Sequence, residues 1–257
     1  MEVRYHGWSG VELVGEEVRI GFDLPYEAVE EWTRIDAPAA LCVTHGHPDH
    51  CGLLTRLERR EETDLGFDLV APKVVAERFR HLWAGGPNRV RHSGFGDYGE
   101  VGPVTIERFY WQHLPLVPAE PGRAARFASR LLAHPVELLK IGRAALQLPL
   151  SSPMHGYVVE WPEGPTVVNY AEGLHDETTE GELEYVAETW EPDVVLAAVE
   201  PEHAVAVRRC LDRLDPREAY LYEAHRPWRE TFGLPLVDLE EFARRVDDSR
   251  RYDVHAL

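Results

Sequence analysis

The chain has 257 residues, 44% of them hydrophobic, enough for one large domain with a substantial buried core. A formal net charge of -18 disfavours nucleic acid and anionic membrane as partners unless a local basic patch overrides the field. Three scattered cysteines (Cys42, Cys51, Cys210) make no disulfide framework, and the sequence has neither a leader-like start nor an apolar run of about eighteen residues. A cytoplasmic α/β protein without a transmembrane segment is expected. Lys73 and Lys140 are the only lysines; genome composition and a high-salt cytoplasm would each produce that bias toward arginine.

In chain order, "EVRYH", "VELVG", "EVRIGFDL", "AALCVTH" and "DLVAP" read as strands, several of them in hairpins. "HCGLLTRLERREE" and "PKVVAERFRHLW" have helical spacing, the second opening on a proline in its first turn. A glycine-rich loop then leads to the strand "PVTIERFYWQH". The second half repeats the grammar: strands "HGYVVEW" and "TVVNYAEG", helix "ETTEGELEYVAETW", strand "DVVLAA", helix "PEHAVAVRRCLDRL" and strand "EAYLYEAH". Two halves of similar element order predict two sheets packed face to face with helices outside, a four-layer αββα sandwich spanning 1–257 as one domain.

Residues 121–149 differ in character. Leu, Ala and Arg recur at helical spacing, and Pro135 ends one short helix and opens a second. The segment sets Arg123, Arg126, Arg130, Lys140 and Arg143 against Glu137 alone, a basic island on an acidic protein. It reads either as a lid whose cations meet a phosphate or carboxylate on the substrate, or as a packed hairpin whose arginines offset the acidic body.

The run "THGHPDHCG", Thr44 to Gly52, follows the apolar stretch "AALCV". Crowded imidazoles repel one another as cations, and a metal ion holds them neutral. In an extended segment leaving a strand, His45 and His47 project the same way and can converge on one ion. Asp49 and His50 then curl into the first helical turn and can face a second. Catalytic zinc takes about three protein ligands and keeps an open position, so further ligands must come from elsewhere in the chain. Cys51 reads as a small buried residue beneath the helix.

With "VRIGFDLP" upstream, the "HGHPDH" run resembles that of the metallo-β-lactamase-fold hydrolases, whose αββα sandwich is the one expected above. The opening "VRYHGWSGVELVGEEVRIGFD" and the later strand order resemble most the branch containing ascorbate-6-phosphate lactonases and N-acyl phosphatidylethanolamine phospholipase D-like enzymes. The resemblance implies a first metal site of His45, His47 and His113, and a second of Asp49, His50 and His225. Where the family carries a bridging Asp in a Gly-Asp pair, this chain has Ala171 and Glu172, with His175 and Asp176 as nearby rivals for the role. Asp23 is expected to brace the ligand loop or orient a histidine.

The implied reaction is hydrolysis of an ester, lactone or phosphodiester of a small or lipid-like substrate, by water activated on one or two Zn²⁺ ions, with Asp49 orienting that water and taking its proton. Nitrogen and oxygen ligands also admit Mn²⁺ or Fe²⁺. Glyoxalase and thiolesterase relatives carry two glycines soon after the run, whereas "DHCGLL" has one. Two other classes stay open: a nuclease steered by the basic island, which requires salt-sensitive binding, and a metal-binding sensor without turnover.

Overall fold

The first six strands pair in the order in which they occur. In the computed structural model, which describes residues 1–63, 65–83, 89–91, 99–112, 121–146, 148, 152–247 and 252–257 (backbone alone at 121, 123, 124, 126, 127, 141, 144 and 145), they form one sheet. β1 (Glu2–Gly7), β2 (Gly10–Val14) and β3 (Arg19–Phe22) run antiparallel. β4 (Ala39–Cys42), β5 (Asp68–Val70) and β6 (Val90–Arg91) continue parallel to β3. Parallel neighbours need a crossover. Here the crossovers carry a 3-10 turn (Tyr26–Ala28) with α1 (Val29–Trp32), then α2 (Gly52–Arg59), then α3 (Lys73–Phe79).

A seven-stranded sheet holds β7 (Gly99–Val101), β8 (Val104–Trp111), β9 (Met154–Glu160), β10 (Thr166–Ala171), β11 (Val194–Ala198), β12 (Glu218–Tyr222) and β13 (Asp253–Ala256). Strands β7 to β10 form antiparallel pairs, and β10 to β13 form parallel ones. α6 (Glu180–Trp190), α7 (Ala204–Leu214), α8 (Arg226–Thr231) and α9 (Leu239–Asp247) lie on its crossovers. Between β8 and β9 stand α4 (Pro121–Ala133) and α5 (Pro135–Ala145).

Period-two alternation sorts the strand side chains into three layers of core. In β4, Ala40 and Cys42 face the second sheet, while Leu41 packs with Trp32, Leu53 and Leu57 under the helices. In β9, Tyr157 and Val159 enter the layer between the sheets, while Val158 joins the α6 and α7 side with Leu183 and Leu211. Two mixed sheets packed face to face with helices outside make an αββα sandwich. The Tyr157 hydroxyl is buried between the sheets and donates to Val43 O at 2.6 Å, tying β9 to the end of β4. No described helix is long and apolar enough to cross a membrane.

Of the elements that the sequence patterns leave unassigned, α9 has nine residues and buries Ala243 and Val246, whereas others are short. α1 has four residues and β13 four, too few for a period to emerge, and β13 is a sheet edge held by β12 alone. β12 also stops earlier than "EAYLYEAH" suggests, at Tyr222, because the chain turns into α8 through His225, whose left-handed backbone (φ 58°) cannot continue a strand.

Candidate metal centre

The carboxyl ends of β3 and β4 in one sheet and of β10 and β12 in the other each lead to one part of a buried cluster. Asp23 follows β3, the histidine run follows β4, Glu172 follows β10 and His225 stands three residues beyond β12. Open α/β sheets place ligands at this end, where loops leave rigid strands. The backbone is strained there: Trp8, Asp23, Ala171 and His225 hold φ of 55, 47, 48 and 58°. Non-glycine residues rarely adopt this left-handed region, and such strain concentrates at functional sites. At Ala171 it accompanies a bulge in the β10–β11 register, which turns Glu172 off the strand.

Gly52 explains how the run can curl so tightly. A Cβ there would sit 2.9 Å from Tyr26 N and 3.1 Å from Pro25 Cα, so only glycine lets α2 start against the segment after β3. Leu53 N then donates to Leu24 O at 2.9 Å. Cys51 is buried, its thiol pushed up chiefly by that burial, with Sγ 3.6 Å from His45 O.

Two overlapping donor groups result. Asp49, His50 and His225 offer ligand atoms within 4.8 Å of one another, and so do His45, His50 and Glu172. His225 Nδ1 lies 2.6 Å from Asp49 Oδ2, and its Nε2 lies 3.6 Å from Glu172 Oε1. His50 Nε2 is 3.7 Å from Asp49 Oδ2 and 3.5 Å from Glu172 Oε1. His47 belongs to neither group among the described residues; its Nδ1 is 2.9 Å from His45 Nε2. His113 lies outside the described residues. The end of β8 nevertheless borders the cluster, since the Trp111 ring stands edge-on to His45 with centroids 6.0 Å apart.

Asp23 sits beneath the run. Its Oδ1 accepts from Thr44 N at 2.8 Å, its Oδ2 accepts from Thr44 Oγ1 at 2.7 Å, and the same Oδ2 lies 2.9 Å from His50 Nδ1. This contact leaves His50 Nε2 facing the cluster, and a carboxylate behind an imidazole in this way fixes its orientation. His175 and Asp176 fall outside both donor groups: the His175 backbone N–H donates to Thr178 Oγ1, and Asp176 pairs with His203 at 2.8 Å.

The buried charges of the cluster shift one another. Burial would depress His50, but Glu172, Asp23 and Asp49 outweigh it and raise the imidazole to about 10. Burial is likewise overcome at His225, which the Asp49 carboxylate lifts to about 9. The same contacts work in reverse on Asp49 and Glu172, whose pKa values His50 and His225 lower against the effect of burial. His50 Nε2 and Glu172 Oε2 are buried without a hydrogen-bond partner, although buried polar atoms are nearly always paired. Buried carboxylates together with orphaned nitrogen and oxygen donors fit a divalent cation.

A third donor group, His6, Glu12 and Glu31, is already compensated: Arg19 Nη2 lies 2.5 Å from both Glu12 Oε1 and Glu31 Oε1.

Three residues without a role in the sequence reading touch the cluster. Thr44 stands inside the run and braces Asp23. Ser9, in the β1–β2 turn, donates from Oγ to Glu172 Oε1 at 2.7 Å, and nothing in the sequence around it signals this. Glu200 follows the buried strand β11, and strand-end position could have marked it; its Oε1 is 3.8 Å from His225 Nε2 and its Oε2 is 3.3 Å from Arg229 Nη2. Of the basic island, Arg130 and Arg143 are exposed, Lys140 pairs with Glu137 on its own helix at 2.7 Å, and the side chains of Arg123 and Arg126 lie outside the description.

The architecture is the metallo-β-lactamase fold. The chain is similar to a metallo hydrolase of the hyperthermophilic archaeon Ignicoccus hospitalis, with 14% identity and a TM-score of 0.63 over 99% of this chain and 94% of that one. It is also similar to the metallo-β-lactamase-fold protein YhfI of Bacillus subtilis, at 11% identity and a TM-score of 0.59 over 98% and 89%. An isothiocyanate hydrolase from Delia radicum gut bacteria shares 14% identity and a TM-score of 0.57 over 100% and 95%. Identities this low establish the fold alone. No family model and no curated protein matches the chain.

Proposed function

We propose that the protein is a metal-dependent hydrolase acting on an ester, lactone or phosphodiester of a small or lipid-like substrate. The observation that carries this reading is the convergence of His45, Asp49, His50, Glu172 and His225 into two donor groups that share His50. Asp49, His50 and His225 would hold one cation, and His45 and Glu172 would complete a second position with His50 or with His47 beside it. One or two zinc ions suit the nitrogen and oxygen donors, and Mn²⁺ or Fe²⁺ would fit the same set.

The chemistry that a divalent cation supplies when bound is Lewis acidity and a lowered pKa of water. The chain's own residues do the rest. Asp49 is ionised at neutral pH, because His50 and His225 hold its carboxyl well below the ordinary range, so it can accept a hydrogen bond from a water molecule and orient it. Asp23 fixes His50 through Nδ1, and Thr44 fixes Asp23. Glu172, buried except for a narrow edge and anchored by Ser9, aims its carboxylate between His50 and His225.

The test is elemental analysis of the purified protein combined with turnover of chromogenic esters, lactones and phosphodiesters. One or two equivalents of metal, with hydrolysis that disappears in His50→Ala, are expected. A stoichiometric metal with no turnover on any of the three classes would favour a sensor, and absence of metal would end the reading.

A further inference from the structure

The helical hairpin α4–α5 carries an apolar stripe that faces solvent. Leu132, Val136, Leu139 and Leu146 are 71, 62, 74 and 89% exposed. Among the described residues only Val205 is a comparably exposed branched aliphatic. Val136, Leu139, Arg143 and Leu146 recur at intervals of three, four and three, so they share one face of α5 and its final turn. Arg143 stands within that stripe, Lys140 borders it and Arg130 projects from α4, all of them exposed. The cations of 121–149, opposed by Glu137 alone, are set on a chain of net charge -18.

The hairpin is linked to elements that carry the donor cluster, once at its corner and once through the chain that follows it. At its corner, the His134 ring meets Phe232 edge-on with centroids 5.5 Å apart; Phe232 caps the C-terminal end of α8, the helix whose N-cap is His225. After α5 the chain returns through Ser152, whose Oγ accepts from Gly46 N at 2.7 Å within the histidine run. A surface that receives the stripe is thereby linked, through α8 and Ser152, to two of the segments that carry the cluster.

We infer that α4 and α5 form an interfacial element that seats the protein on an anionic lipid surface. The aliphatic stripe enters the boundary between headgroups and acyl chains, while Arg130, Lys140 and Arg143 lay their stems along it and reach the phosphate layer. Nucleic acid would satisfy the cations but offers no apolar phase for the leucines. A second copy docked hairpin to hairpin would set like charges against each other. The acidic body is repelled by the same lipid, which confines contact to the hairpin and makes it depend on ionic strength. Resting on the hydrolytic reading, the inference also names the substrate class: an amphiphile presented at the interface, with its ester or phosphodiester at the rim of the cluster.

The experiment is co-flotation of the full chain with phosphatidylcholine vesicles and with vesicles containing about 30% phosphatidylglycerol, at low and at high salt. The fraction bound to anionic vesicles should exceed that bound to neutral ones by at least about fivefold and should fall at about 0.5 M NaCl. The double variant Leu132→Asp, Leu139→Asp should lose about tenfold in binding, and Arg130→Glu with Arg143→Glu should abolish the preference for anionic lipid, both with an unchanged circular dichroism spectrum. Absence of flotation, or flotation equal in all variants, overturns the inference. So does a dimer that the aspartate variants convert to monomer without any vesicle binding, since a second copy would then occupy the stripe. No turnover is read, so failure here is separable from failure of the hydrolytic reading.

Discussion

Ser9 Oγ donates to Glu172 Oε1 at 2.7 Å, joining the β1–β2 turn to the end of β10 across 163 positions of sequence. The hydroxyl holds one carboxylate oxygen and leaves the other, Oε2, buried and unpartnered. Hydrogen bonds behind a ligand typically change metal affinity by about 10–100-fold. Under the proposed metal-centre reading, Ser9→Ala is expected to weaken divalent-metal binding by about tenfold while the protein stays folded, and Ser9→Thr should retain most of it. Competition with a chromophoric chelator measures this; unchanged affinity in Ser9→Ala would remove the hydroxyl from any role at Glu172.

Asp23 braces the other side. Asp23→Asn keeps the shape and can still accept from Thr44, but it removes the charge that faces His50 Nδ1 at 2.9 Å. Metal affinity should fall by about 10–100-fold, more than the loss in Ser9→Ala. The same chelator titration ranks the two, and the reverse ranking would show that Glu172, not His50, is the more dependent on its support.

Backbone strain at Ala171 can be isolated, because its partner across the parallel ladder is Ala197 and both are fully buried. Replacing either by glycine deletes one buried methyl and adds the same chain entropy. Only Ala171 has a left-handed backbone, worth about 1–2 kcal/mol against an L-residue. Ala171→Gly should thus be less destabilising than Ala197→Gly by about 1–2 kcal/mol in urea unfolding, and equal losses would show that Ala171 carries no strain.

Glu182 supplies a dependence on pH away from the cluster. Burial pushes its carboxyl up to about 7, and its Oε1 has no hydrogen-bond partner. The folded chain therefore holds a proton there that the unfolded chain releases near its ordinary value of 4.5. This contribution to stability is fully present below about pH 4.5 and fades as pH rises through 7. Glu182→Gln keeps the helix cap formed by Thr179 and loses the titration. With partial exposure discounted, the variant should gain about 1–2 kcal/mol on wild type between pH 5 and 8, measured by denaturant unfolding at each pH. A constant difference across that range would rule out a raised carboxyl.

Much of this protein is written in local pattern. Alternation in "AALCV" and "HGYVVEW" sorts side chains between two core layers, and heptad-like spacing in "PEHAVAVRRCLDRL" sets α7 on the outer one, because strand and helix periods are properties of the backbone itself. The run from His45 to His50 stands out for a similar reason: four polar side chains able to bind a metal ion crowd the mouth of a buried strand. Tertiary structure alone decided which of them meet. His50 takes part in both donor groups because Asp23 turns its ring, Glu172 reaches the cluster because a bulge and a left-handed alanine swing it off β10, and His225 turns inward from a helix cap beyond the end of its strand. These contacts join residues up to 176 positions apart, as His225 and Asp49 are, and a sequence read in windows carries no trace of the distances between them.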